Sequence, residues 1–243
     1  MSESRSVLVT NVQHFVGLPS AKAIAADGTM VFCHDAEFTG AGKRDAFAKA
    51  HPGLRVLAEQ SPADLVAAVV KAAGRLDTVV SNDAFPALRG PIAEARLEDL
   101  RASLEALTVF PFALAQAAVP QFRRQGSGRL LFVTSAGPLR GLPNYSMYAT
   151  ARGATNALAL SLAKELAADN IQVNAIAPNY VESPTYFPPA LLANPEARAK
   201  MERNIPLHRL GKPEEVAALI AFFASDKCGF VPGHVLPVAG GWA

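Results

Sequence analysis

Three side chains in this sequence have the types and spacing for proton chemistry. Ser135 closes the apolar run LLFVTS, and the pattern Ser135-x12-Tyr148-x3-Arg152 continues into SMYATARGA. Positions four apart on a helix share a face, so Tyr148 and Arg152 set a guanidinium beside a phenol. A free phenol titrates near roughly 10, and an adjacent cation typically lowers such a value by about 1–3. A phenol so placed is a usable base, while Ser135 can hold a substrate oxygen by a hydrogen bond. An isolated Tyr/Arg pair of this spacing is commonly a surface contact; the serine at a strand end is what points to catalysis.

That arrangement needs strands and helices in alternation, and the sequence supplies them. Short apolar, β-branched runs alternate with Ala/Leu-rich segments of helical period, the pattern of repeated βαβ units. The pattern predicts strands near Val7–Thr10, Met30–Cys33, Arg55–Ala58, Thr78–Val80, Leu130–Thr134, Gln172–Ala175 and His234–Pro237. Helices are expected from about Val16, Lys43, Ala63, Leu97, Tyr145, Pro195 and Pro213. Gly and Pro gather at strand ends and in Ala177–Pro189, and no repeat or low-complexity segment interrupts the alternation. The expected fold is α/β, a Rossmann-like doubly wound parallel sheet flanked by helices, with residues 1–243 forming a single catalytic domain. In such sheets ligands bind beyond the carboxyl ends of the strands.

The first of those ends is unusual. A strand running into a helix is where a Rossmann unit keeps glycines, because backbone without Cβ can approach a pyrophosphate. Here the stretch reads Thr10-Asn11-Val12-Gln13-His14-Phe15-Val16-Gly17, and Gly17 alone remains.

Ser135, Tyr148 and a cation four residues on resemble the short-chain dehydrogenase/reductase superfamily, whose signature is a serine followed by Tyr-x-x-x-Lys. The resemblance covers nearly the whole chain. Three departures matter: the lysine that binds the nicotinamide ribose is Arg152, the glycine-rich turn is Asn11–Gly17, and the relay asparagine falls by register on Ala106 in EALTVFPF. Together they imply that the nucleotide has been evicted, so the site runs proton chemistry without hydride transfer. The narrower patterns Thr10-x4-Phe15-x-Gly17 and Ser135-x12-Tyr148-x3-Arg152 are similar to the halohydrin (haloalcohol) dehalogenases. That resemblance implies no cofactor and no metal, with Ser135, Tyr148 and Arg152 as the catalytic set.

It further implies a halide pocket walled by Phe15 and by the loop after the sixth strand, in AIAPNYVESPTYFPP. Pro178, Asn179, Tyr180 and Val181 would face the anion through backbone amides, as an oxyanion hole does; a merely packed Pro/aromatic loop is the bland alternative. Phe85, Pro138, Leu142, Asn144, Tyr186 and Phe187 are the expected substrate-pocket residues. Asp83, in SNDAFP, either tunes Arg152 from outside the first layer or caps a helix or turn. The implied reaction converts vicinal haloalcohols to epoxides with release of halide and a proton, and in reverse opens epoxides with azide, cyanide or nitrite. A homotetramer is implied in the same way, and Trp242 either closes a neighbour's pocket or docks on its own subunit.

Two rival readings stay open on sequence alone. One is an NAD(P)-dependent reductase with an atypical Tyr-x3-Arg site, for which Asp35, at the end of the second strand, would hold the adenosine ribose; as a helix cap or salt-bridge partner the same residue is neutral. The other is a non-catalytic binding module, which has no reason to keep Ser, Tyr and a cation together. GAGKRD at 40–45 is a helix lead-in rather than a phosphate loop, since Glu37 and Arg44 stand where Gly and Ser/Thr belong. His14 reads as packed or solvated.

Composition narrows the partners to small molecules. A formal net charge of +2 and the absence of a basic stripe give no reason to expect nucleic acid. The start MSESRSVLVT lacks the pattern of a signal peptide, and no apolar run is expected to approach the roughly 20 residues of a membrane span. A cytoplasmic location, no membrane partner and reduced Cys33 and Cys228 follow as expectations.

Overall fold

The structure, a computed structural model, describes residues 5–184, 186–187 and 189–243. In chain order its elements are β1 Ser6–Val9, α1 Gly17–Ala25, β2 Met30–Cys33, α2 Ala41–Ala50, β3 Leu54–Val56, α3 Pro62–Ala73, β4 Thr78–Ser81, α4 Leu97–Leu104, α5 Phe110–Gln125 and β5 Gly128–Val133. There follow α6 Gly137–Arg140, α7 Ser146–Leu166, β6 Ile171–Pro178, α8 Pro189–Leu192, α9 Pro195–Arg203, α10 Pro213–Ala224 and β7 Val235–Val238. The strands form one parallel sheet in the order β3-β2-β1-β4-β5-β6-β7, the doubly wound sheet that the alternation predicts.

Both sheet faces are covered, which is why the strands are apolar on both sides. Val7 and Val9 pack with Ala21 and Ile24 of α1 and Val216 and Ile220 of α10. Leu8, between them, points the other way, against Leu65 and Val69 of α3, Leu114 of α5 and Ala159 of α7. The helices start where their sequences say: Ser61 accepts a hydrogen bond from Asp64 N–H ahead of α3, and Gly74 ends that helix in the left-handed region.

Order reverses between β1 and β4, since the chain runs β1-β2-β3 to one side and crosses back to continue on the other. The crevice at that switch lies among the segments after β1, β4, β5 and β6. One expectation needs correcting: α4, a π-helical turn at Glu105–Val109 and α5 join into a run at Leu97–Gln125 that is long and apolar enough to cross a membrane. Its buried face packs on α3, α7 and the sheet. Ala106 falls in the π turn and packs against Leu107, Tyr148 and Ala151.

Candidate active site

A cavity of about 210 Å³ opens at the switch point. β5 delivers Thr134 and Ser135 to it, α7 delivers Tyr148 and Arg152, the turn after β1 brings Phe15, and the segment after β6 brings Pro178–Val181, Tyr186 and Phe187. Ser135 Oγ accepts the Gly137 N–H at 3.0 Å, which leaves its own proton free for a substrate oxygen.

Tyr148 and Arg152 are both buried, and the guanidinium carbon lies 5.5 Å from the Tyr148 ring centroid. The pairing expected from their spacing is therefore present. Arg152 is held rigidly: Nη1 donates to Val133 O at 2.9 Å and Nη2 to Asp83 O at 2.7 Å, so it spans the ends of β5 and β4. Burial by itself disfavours the charged guanidinium, but Tyr148, Tyr186 and Asp83 more than offset this and hold it above its ordinary range.

Asp83 fixes Arg152 with its main chain rather than its carboxylate. The carboxylate accepts hydrogen bonds from Ser81 Oγ, from Thr10 Oγ1 at 3.4 Å and from Asn11 Nδ2 at 3.5 Å. Burial pushes this carboxyl up to about 6, against the lowering pull of Ser81 and Arg152.

The turn after β1 keeps the backbone that glycines would take while carrying side chains. Asn11 and Phe15 have φ of 45° and 49°, a region bulky residues enter only when their surroundings dictate it. The ties are visible. Asn82 Nδ2 donates to the carbonyls of Asn11 and His14 at 2.9 Å each, and Val12 N–H reaches His34 O at 2.9 Å. Gly17 survives for a packing reason, because a Cβ there would stand 2.6 Å from Val12 O and 2.8 Å from Asn82 Nδ2. Asp35 is fully buried, its two carboxylate oxygens taken by the N–H groups of Gln13 at 2.8 Å and Glu37 at 3.0 Å. His34 stacks on Phe110 at 5.9 Å, and burial holds its imidazole below the usual range.

Not every amide of the Pro178–Val181 segment is free. Asn179 N–H is spent on Val238 O at 3.1 Å, as part of the β6–β7 edge. Tyr180 N–H bonds Asn179 Oδ1 at 2.9 Å, and Val181 N–H has no partner among the described residues. Tyr180, at φ 54°, is pinned by its carbonyl to Gly211 N–H at 2.9 Å and by its ring to Phe187 and Trp242. Trp242 docks on this chain's own loop, with the Arg140 guanidinium 4.9 Å from its ring centroid.

Three residues expected at the pocket wall lie elsewhere. Phe85 packs behind Tyr148 with Leu107 and Ala151. Pro138 lies against Gly153 of α7, and Asn144, at φ 66°, is an exposed turn residue whose carbonyl accepts Gly90 N–H. Leu142 does reach the wall, together with Thr134, Ala87 and Tyr145, which the sequence reading missed. Tyr145 immediately precedes α7, at its N-cap, three positions before Tyr148, and that nearness along the chain was the signal for it. Among the described residues no cluster of three or more His, Cys, Asp or Glu could hold a metal ion.

A family model described as enoyl-(acyl carrier protein) reductase matches residues 13–243. A 3-oxoacyl-(acyl-carrier-protein) reductase of Thermotoga maritima is 30% identical, with 98% of both chains covered. Among solved structures, one described as a dehalogenation enzyme is 50% identical with a TM-score of 0.95, covering 99% of each chain. A halohydrin dehalogenase bound to ethyl (2S)-oxiran-2-ylacetate is 41% identical with a TM-score of 0.94, covering 97% of this chain and 96% of that one.

Proposed function

This chain belongs to the short-chain dehydrogenase/reductase family, and we propose that within it the chain is a halohydrin dehalogenase that uses no nucleotide. One observation carries the reading: the turn after β1 holds the side-chain-bearing Asn11 and Phe15 at positive φ where a nucleotide-binding turn needs glycines, while Ser135, Tyr148 and Arg152 face one cavity with Phe15. A nicotinamide nucleotide does not fit these residues. Asn11 and Phe15 occupy the glycine positions, the Asp35 carboxylate accepts two backbone N–H groups, and a guanidinium tied to the Val133 and Asp83 carbonyls stands where the ribose-binding ammonium would be. The reductase alternative would have to unmake this network.

The reaction follows from the groups. Ser135 donates to the substrate hydroxyl oxygen while Tyr148, beside the fixed guanidinium, acts as the base that takes its proton. The alkoxide displaces the neighbouring halide from behind, closing the epoxide, and the halide leaves with the bonding pair toward Phe15 and the free amide of Val181. A preoriented, unpaired amide facing the cavity is suited to charge that appears only in the transition state. Run backward, the same pocket would hold azide, cyanide or nitrite against an epoxide. Similarity to a dehalogenase holding a small epoxide supports this substrate class. Exposed Val109 and Phe112 on the α4–α5 run and Leu160 on α7 support the homotetramer that the resemblance implies.

The test is halide release from a panel of vicinal chloro- and bromoalcohols with no nucleotide added. Turnover is expected in the parent protein and lost in Tyr148→Phe with the fold retained. A fully active Tyr148→Phe variant would remove Tyr148 as the base, and NADPH-dependent oxidation of alcohols by a parent protein that releases no halide would restore the reductase.

A further inference from the structure

Sheet order gives the cavity a direction. β5 lies between β4 and β6, so Ser135, after β5, is flanked by Val181 beyond β6 on one side and by the segment after β4, with Ala87, on the other. A haloalcohol held by its oxygen at Ser135, with its halide toward Val181, has the rest of its carbon chain on the Ala87 side. Neighbouring strands stand about 4.8 Å apart, so a chain of a few carbons crosses to that side. The wall it meets, with Leu142 and Tyr145, is apolar and aromatic.

At the rim of that wall stands a cation. Arg89 follows Ala87 by two residues, and Gly90 N–H donates to Asn144 O at 2.8 Å, which ties this segment to the turn just ahead of Tyr145. The Arg89 guanidinium carbon lies 5.9 Å from the centroid of the Tyr145 ring, itself part of the cavity wall. Arg140, near Trp242, gives an N–H to the Trp242 carbonyl. Arg89 is different: it is exposed, and among the described residues it has neither a hydrogen bond nor an ion pair. The face of the Tyr145 ring attracts the cation and supplies no oxygen to its fork of N–H donors.

We propose that Arg89 is a specificity-determining residue that pairs with a carboxylate at the far end of the substrate's carbon chain, so that short haloalcohols and epoxides ending in a carboxylate are preferred over their neutral counterparts. This rests on the dehalogenase reading for the chemistry at the other end of the chain, but not for the carboxylate site. A planar guanidinium meets a carboxylate through two parallel N–H···O bonds, which fixes the chain's direction as well as its charge. The two anions of such a substrate are kept apart: the halide leaves on the β6 side and the carboxylate is held on the β4 side.

The test compares 4-chloro-3-hydroxybutanoate and a longer homologue with their carboxamides, which keep the shape and lose the charge. The readout is the ratio of kcat/KM for carboxylate over carboxamide at low ionic strength. In the parent protein that ratio should exceed one and shrink as salt is added. Arg89→Gln should lower it about tenfold, mostly through KM, and Arg89→Lys should restore part of it. Binding is read separately by calorimetry, with the unreactive analogues in which a methyl group replaces the chlorine. A preference for the hydroxy acid over its carboxamide that is absent in the parent, or that survives Arg89→Gln, overturns the proposal, and halide release by the same protein leaves the dehalogenase reading standing. An Arg89-dependent preference in a protein that releases no halide keeps the carboxylate site and rejects the dehalogenase reading instead.

Discussion

Replacing Asp83 by Asn should stabilise the protein in a pH-dependent way. The Asp83 carboxyl is buried and sits at about 6 in the folded state, against a reference of 3.8. A folded-state value raised in this manner means that the native protein binds the proton more tightly than the unfolded chain. The stabilisation is complete below the unfolded value and disappears as pH rises through the folded one. Between those limits the difference is about 3 kcal/mol, of which about 1.4 kcal/mol falls between pH 5 and pH 8. Asparagine has no such charge to bury; its Oδ1 can still accept from Thr10, and its amide nitrogen can donate to Ser81 Oγ. Its main-chain carbonyl also remains available to Arg152. The variant's melting temperature relative to the parent should therefore improve by about 3–6 °C on going from pH 5 to pH 8, read by thermal unfolding at matched ionic strength. A difference independent of pH, or one that grows toward acid, would refute the idea that this buried carboxyl is ionised at a cost above neutrality.

Arg152→Lys should lower kcat by about 10–100-fold and the melting temperature by about 2–12 °C, because one ammonium does not reproduce the paired bonds to Val133 O and Asp83 O while facing the phenols; steady-state halide release and thermal unfolding check it. Gly17→Ala should destabilise by about 1–3 kcal/mol, since the new Cβ meets the Val12 backbone. Its melting temperature should fall by about 2–12 °C, and an unchanged value would mean that the glycine is not held by packing.

Much of this was legible in the sequence, for identifiable reasons. Buried parallel strands must be apolar on both faces, so β2 is read to the residue and the others within a few positions. Tyr148 and Arg152 follow from helical spacing, and Ser135 from its strand end. What escaped depends on contacts distant along the chain. The helix continues from α4 through a π turn into α5 past Pro111 and Pro120, which read locally as breaks, so the apolar length of Leu97–Gln125 was underestimated. Phe85 and Leu142 both sit in loops, and no local period says which faces the cavity and which packs behind Tyr148. Asp83 acting through its carbonyl, and Trp242 docking on Tyr180, are likewise matters of backbone path and chain end rather than residue type.

The central claim is that the space of a nucleotide has become a pocket for an anion, and the chain carries its own reporter for it. Its single tryptophan, Trp242, lies 5.7 Å by ring centroids from Tyr180 of the anion loop. Titrating intrinsic fluorescence with bromide, and in parallel following the thermal transition with NADPH, addresses both halves of the claim. The account predicts a saturable change with bromide that is weakened in Phe15→Ala, and no thermal protection by NADPH. A purely linear, collisional response to bromide together with protection by NADPH would contradict it.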